Sequence, residues 1–155
     1  AIRSNHAVGL VAEAQIPIDL SPAAGLGHLA RLMRLLVSAR AVGKLPFDSL
    51  LLEHLARIKL DSAVILVFPT SRIDISRYLH AIGVLQGRRV NLTAVLIDDR
   101  AFYRVHGEME DYEREIPIEA AVEQLLALGL TVYVVDADAH FTEAFERPRV
   151  ASRGR

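Results

Sequence analysis

Three apolar runs recur in the second half of the chain, each preceded by a stretch with helical periodicity. They are Ala63–Phe68, Leu92–Ile97 and Thr131–Val135. Their continuous aliphatic and β-branched composition predicts strands buried on both faces, as in a parallel sheet. Pro69 ends the first run. Asp74 is placed to N-cap a helix through Gln86 that Gly87 closes, and Pro117 opens a helix over Ile118–Leu128 that Gly129 closes. Strands alternating with helices of this length imply right-handed βαβ crossovers.

The first half is patterned differently. His6–Val11 and Ile16–Leu20 read as a hairpin across Ala12–Gln15, with Pro17 favouring an edge or bulged position because it has no N–H. Ser21 and Pro22 begin a turn. From Leu26 the residues Leu29, Leu32, Met33, Leu36 and Val37 recur at helical spacing, with Arg31, Arg34 and Arg40 between them and Gly43 as C-cap. Phe47 or Asp48 opens a second helix over Ser49–Ile58. The expected fold class is α/β: a mainly parallel, Rossmann-like sheet with flanking helices and an N-terminal β-hairpin. One domain is expected over 1–145, followed by an arginine-containing tail, 146–155, that reads as solvated chain. His28-Leu-Ala-Arg31 recurs as His54-Leu-Ala-Arg57, but the match stops there, as two amphipathic helices would produce.

Composition narrows the function classes. At 155 residues, with 52% hydrophobic and 24% charged residues, the chain suits a globular domain with a real core and excludes wholesale disorder. A net charge of −1 supplies no field for nucleic acid or anionic lipid. The absence of cysteine excludes disulfides, thiolate zinc sites and cysteine nucleophiles. The six histidines are scattered and form no His-x-x-x-His pair. No apolar run approaches the roughly 20 residues of a membrane span. The expectation is a cytoplasmic protein, or the soluble part of a membrane-tethered one, with no membrane segment in this chain.

Candidate chemistry gathers at the strand ends: Thr70 and Ser71, then Asp98 and Asp99, then Asp136 and Asp138. In open parallel sheets, ligands bind beyond the carboxyl ends of the strands. Oxygen donors of this kind suit magnesium, yet the same residue types are ordinary in β-to-α turns and N-caps. No metal is assigned from these residues alone. These side chains are instead the expected partner-binding set, with the charged Arg100–Glu115 loop as second candidate. An alternative is nucleotide or dinucleotide binding through Gly25-Leu-Gly27-His28-Leu29-Ala30, a G-x-G-x-x-A match that follows a strand and opens a helix. Against it stand Pro17 and Asp19 in the preceding strand, two helices before the next strand, and no strand-terminal acidic residue about 20 positions on. No G-x-S-x-G elbow surrounds Ser71, and no catalytic residue is assigned.

Several segments together resemble a known family. They are Gly9-Leu-Val in the hairpin, Ile16-Pro-Ile followed by Pro22 and Gly25–Gly27, and Leu45-Pro46 before the second helix. Val64-Ile-Leu-Val, Leu92–Asp98 and Gly129-Leu-Thr-Val-Tyr-Val continue the series. From Val8 to Phe145 the chain resembles the C-terminal part of a bacterial family of unknown function, number fifty-eight among the domains so labelled, itself similar to the von Willebrand factor type A domain. The resemblance implies a non-catalytic protein-interaction module that cooperates with a MoxR-type AAA+ ATPase, often downstream of membrane helices. Type A domains often carry a metal-ion-dependent adhesion site built on Asp-x-Ser-x-Ser, a later threonine and a later aspartate. This chain has no Asp-x-Ser-x-Ser, and Pro69-Thr70-Ser71 follows the Val64–Phe68 strand. By family order the first, central strand is absent. Such a gap would leave rows of unpaired backbone groups. Either the hairpin closes directly on Ala63–Phe68, or a second copy supplies the pairing in a homodimer.

Overall fold

In the computed structural model the described residues are 6–40, 44–69, 74–98, 117–136, 145–146 and 148–149. The fold is α/β: a three-stranded parallel sheet flanked by helices, and an N-terminal antiparallel hairpin that forms a sheet of its own. The chain divides into two compact units, Ala1–His54 and Leu55–Arg155.

The first unit pairs β1 (Val8–Ala12) with β2 (Ile18–Ala23). Along β2, Ile18 and Leu20 are buried while Asp19 and Ser21 are exposed, the period-two alternation of a half-covered strand. Pro17 lies in the loop before β2. Pro22, expected to begin a turn, lies inside the strand, where a two-stranded sheet leaves an edge free of ladder demands. The pairing shifts register between Val8 and Leu10. Gly9 sits at that irregularity, and a Cβ there would stand 2.9 Å from the Leu20 carbonyl oxygen and 3.1 Å from the Pro22 ring. Only glycine permits that approach. Helix α1 (Leu26–Ser38) follows, and its buried Leu32 belongs to this unit's core. The His28 ring Nε2 lies 2.6 Å from the Val8 carbonyl oxygen and ties α1 to β1. The hairpin loop holds the chain beyond α1: Gln15 N–H donates to the Arg40 carbonyl at 3.2 Å, and Glu13 Oε1 accepts from Lys44 N–H at 3.1 Å. Helix α2 (Phe47–His54) buries Leu50 and Leu51. The second helix predicted to reach Ile58 instead tightens into a 3₁₀ turn over Leu55–Arg57.

The second unit is built on β3 (Ala63–Pro69), β4 (Asn91–Asp98) and β5 (Thr131–Asp136), in that spatial order and all parallel. A 3₁₀ turn over Ile75–Tyr78 leads into α3 (Leu79–Gly87), and α4 (Ile118–Ala127) joins β4 to β5. Because the order advances without reversal, right-handed crossovers put both connections on the same face of the sheet. That face holds Leu66 and Phe68 of β3, Ala94 and Leu96 of β4, and Val132 of β5, all buried. Opposite them, α3 contributes Ala81, Ile82 and Leu85, and α4 contributes Ile118, Ala121, Val122 and Leu125 at one-face spacing.

Both helices end alike. Val90 N–H donates to the Leu85 carbonyl and Leu130 N–H to the Leu125 carbonyl, the wide bond of a Schellman turn, and all four side chains are buried. The left-handed position is Gly129 in one turn, with φ 79°, and Arg89 in the other, with φ 58°. Gly87, the expected closing residue of α3, is instead its last helical residue. Gln86 Nε2 donates to the Leu128 carbonyl and joins the two turns.

Two substitutions test this account. Gly9→Val should destabilise by about 1–3 kcal/mol, through forced displacement of Leu20 and Pro22; thermal unfolding measures it. Arg89→Gly should stabilise by about 1 kcal/mol, by removing the Cβ penalty of a left-handed residue, read as a higher unfolding midpoint in urea.

Candidate functional site

Two of the six strand-end residues lie within the described structure, and the sheet brings them together. Asp98 ends β4, Asp136 ends β5, and the two are register neighbours. Neither is without an interaction partner. Thr70, Ser71, Asp99 and Asp138 lie outside the described residues, as does the Arg100–Glu115 loop. Asp74, the first described residue after β3, caps the 3₁₀ turn: its Oδ1 accepts from Ser76 N–H at 3.1 Å and from Ser76 Oγ at 2.5 Å. Its carboxylate therefore serves local structure. Among the described residues, no group of three or more His, Cys, Asp or Glu side chains is arranged to hold a metal ion. The described strands also contain no reversal of order, so they form none of the crevices that bind ligands in doubly wound sheets.

The glycine motif opens α1 as the spacing predicts. Gly25 precedes the helix with φ 95°, a conformation other residues adopt at a cost, and its carbonyl accepts from Leu29 N–H at 3.1 Å. No side chain caps this end of α1. A Cβ added at Gly25 or Gly27 would meet nothing within 4 Å, and Ala30 is exposed. The strand before the motif is β2, which pairs antiparallel with β1 in the two-stranded sheet. A dinucleotide fingerprint instead links a parallel strand to the helix that crosses back over the same sheet. The geometry gives Gly25 a turn-forming role and gives Gly27 and Ala30 an open, solvent-facing first turn.

A different surface stands out, and sequence reasoning missed it. Alternate residues of the parallel sheet form its second face: Ile65 and Val67 of β3, Thr93, Val95 and Ile97 of β4, Tyr133 and Val135 of β5. On the β5 side this face has cover, because the Phe145 ring packs against Tyr133 with centroids 5.2 Å apart. The same stretch of chain closes the border of β5, where Val132 and Arg149 exchange backbone hydrogen bonds at 3.0 and 2.8 Å. The tail expected to be solvated thus contributes a bridge at Arg149. On the β3 side, Ile65 is 65% exposed, Val67 50% and Ile97 41%. Ala63–Phe68, predicted to be buried on both faces, is buried on one. The outer border of β3 pairs with no strand among the described residues, and the hairpin forms a two-stranded sheet of its own. In the first unit, α1 also exposes apolar side chains, at Leu26, Met33, Leu36 and Val37. No sequence signal marks which apolar run borders the sheet.

No protein-family model matches the chain, and no curated protein or solved structure matches it either. The alternative reading of the glycine motif is open to a direct check by differential scanning fluorimetry. NAD and ATP at millimolar concentration are expected to leave the melting temperature unchanged. A rise that Gly27→Asp abolishes would assign nucleotide binding to Gly25, Gly27 and Ala30.

Proposed function

We propose that this chain is a non-catalytic protein-interaction module, Rossmann-like in the manner of a degenerate von Willebrand factor type A domain, that works through a protein partner. The observation that carries the reading is the β3 side of the parallel sheet. There a seven-residue strand without charge borders the sheet while Ile65 and Val67 stand exposed on its open face. Fully burying an aliphatic side chain is worth about 1.5–3 kcal/mol, so a partner covering this border gains substantially from few contacts. An unguarded edge also offers a row of main-chain donors and acceptors to an incoming extended segment. These are means of binding a protein, and they require no metal, cofactor or nucleophile.

The resemblance of Val8 to Phe145 to bacterial family fifty-eight suggests the partner class: a MoxR-type AAA+ ATPase, with the chain in the cytoplasm or facing it from a membrane-tethered protein. No helix among the described residues is long and apolar enough to cross a membrane. The strand-end residues Thr70, Ser71, Asp98, Asp99, Asp136 and Asp138 belong to the same proposal as polar contacts at the carboxyl end of the sheet. They take part in metal-assisted binding only if magnesium finds the remaining ligands on another strand.

The test is a calorimetric titration of the chain with a purified MoxR-type ATPase from the same organism. Saturable binding is expected, weakened at least about tenfold by Ile65→Lys together with Val67→Lys, since lysine blocks an edge while remaining soluble. Equal binding by the double variant would remove β3 from the interface, and no binding by the native chain would remove this partner class.

A further inference from the structure

We infer that β3 pairs with β3 of a second copy, antiparallel across a two-fold axis, so that two three-stranded sheets join into one. This rests on reading the β3 border as a protein-interaction surface and divides it: a second copy takes the main-chain edge, and the dimer presents the joined open face, with Ile65 and Val67, to the ATPase. Asn91 N–H donates to the Ser62 carbonyl at 2.9 Å, so the peptide groups of Ser62 face β4. Alternation along the strand then turns the peptide groups of Ala63, Ile65 and Val67 outward. The occupant that satisfies them is an extended strand, not a helix.

The side chains favour a copy of the same strand. With the axis at Leu66, Val64 stands opposite Phe68, Ile65 opposite Val67, and Leu66 opposite its own counterpart. Each is an aliphatic or aromatic cross-strand pair, of the type that stabilises antiparallel ladders. Ala63–Pro69 carries no charge, so self-pairing brings no like charges together. Ile65 and Val67 expose their side chains on the open face and direct their peptide groups outward, so one pairing serves both. In this register the Ile65 and Val67 amides are donors to the partner strand, and Pro69, which has no N–H, lies at the end of the ladder where its loss costs least. The other border of the sheet is already bridged at Val132 by Arg149, which leaves β3 as the border available for pairing among the described residues. An interface of this kind is isologous and closes at two copies.

Sedimentation equilibrium of the whole chain, with amide hydrogen exchange on the same samples, tests the inference. The expected result is a dimer of the 17.1 kDa chain. Ile65 and Val67 amides should be protected at high concentration and lose that protection on dilution, whereas the β4 amides keep theirs. Val67→Pro, which removes one outward donor, and Ile65→Lys, which places a charge opposite Val67, should each raise the dimer dissociation constant at least about tenfold with unchanged far-ultraviolet circular dichroism. A native chain that stays monomeric at several hundred micromolar overturns self-pairing. So does a dimer whose Ile65 and Val67 amides exchange freely, or one that both variants leave intact. The ATPase titration reads the broader proposal separately: binding there by a monomeric chain retains the module and discards the second copy.

Discussion

The second unit depends on one constraint, the placement of β4 between two parallel neighbours. Every residue from Asn91 to Ile97 has a register partner in β3, and every residue from Thr93 to Asp98 has one in β5. Parallel strands are separated in sequence by whole helices, so each contact of β4 closes a long loop, and the entropy of that closure must be recovered by packing. The recovery is concentrated on one face. Ala94, Leu96, Leu125 and Val132 are fully or almost fully buried there, and the matching turns after α3 and α4 deliver Val90 and Leu130 into the same core. The Gln86 side chain, donating to the Leu128 carbonyl, keeps the two turns together at the start of β4 and β5.

The exposure of the second face follows from the same constraint. A sheet wound in one direction by right-handed crossovers collects its helices on one side. Covering both sides requires the strand order to reverse, and the described strands do not reverse. At β5 the shortfall is met locally by the Phe145 ring on Tyr133, while Arg149 bridges the strand's border. At β3 it is not, and an apolar strand is left half in water. Parallel strands are ordinarily covered on both faces; the departure is greatest at the β3 border and reaches Ile97 of the central strand.

Much of the fold was legible in the sequence because apolar runs and helix punctuation are local signals. The three parallel strands lie within a residue of the runs that predict them, Asp74 caps the turn it precedes, and Gly129 takes the left-handed position expected of a closing glycine. What was not legible is what the chain decides only when assembled. An apolar run such as Val64-Ile-Leu-Val reads the same whether its second face meets a helix, another subunit or water, so the half-exposure of β3 has no local signature. The left-handed Arg89 was hidden because arginine does not announce that conformation, whereas the equivalent Gly129 does. Pro22 was misread because proline signals a turn more often than a position inside an edge strand. Of the candidate site, the pairing of Asp98 with Asp136 follows from the register of β4 and β5, which strand spacing alone does not determine.

The same topology separates two ways a sheet of this class can act. A ligand crevice forms where neighbouring strands send their crossovers to opposite faces, because the two loops then part and leave space between them. Among the described residues the crossovers from β3 to β4 and from β4 to β5 lie on one face of the sheet, and Asp98 and Asp136 end side by side as register neighbours. The glycine turn before α1 lacks the complementary feature, a parallel strand delivering it to a sheet edge. What the winding leaves over is surface: a neutral apolar strand whose side chains and peptide groups are both turned outward. In the function proposed for it, such a surface would recognise another polypeptide by main-chain pairing and apolar contact, with specificity residing in the residues that border it.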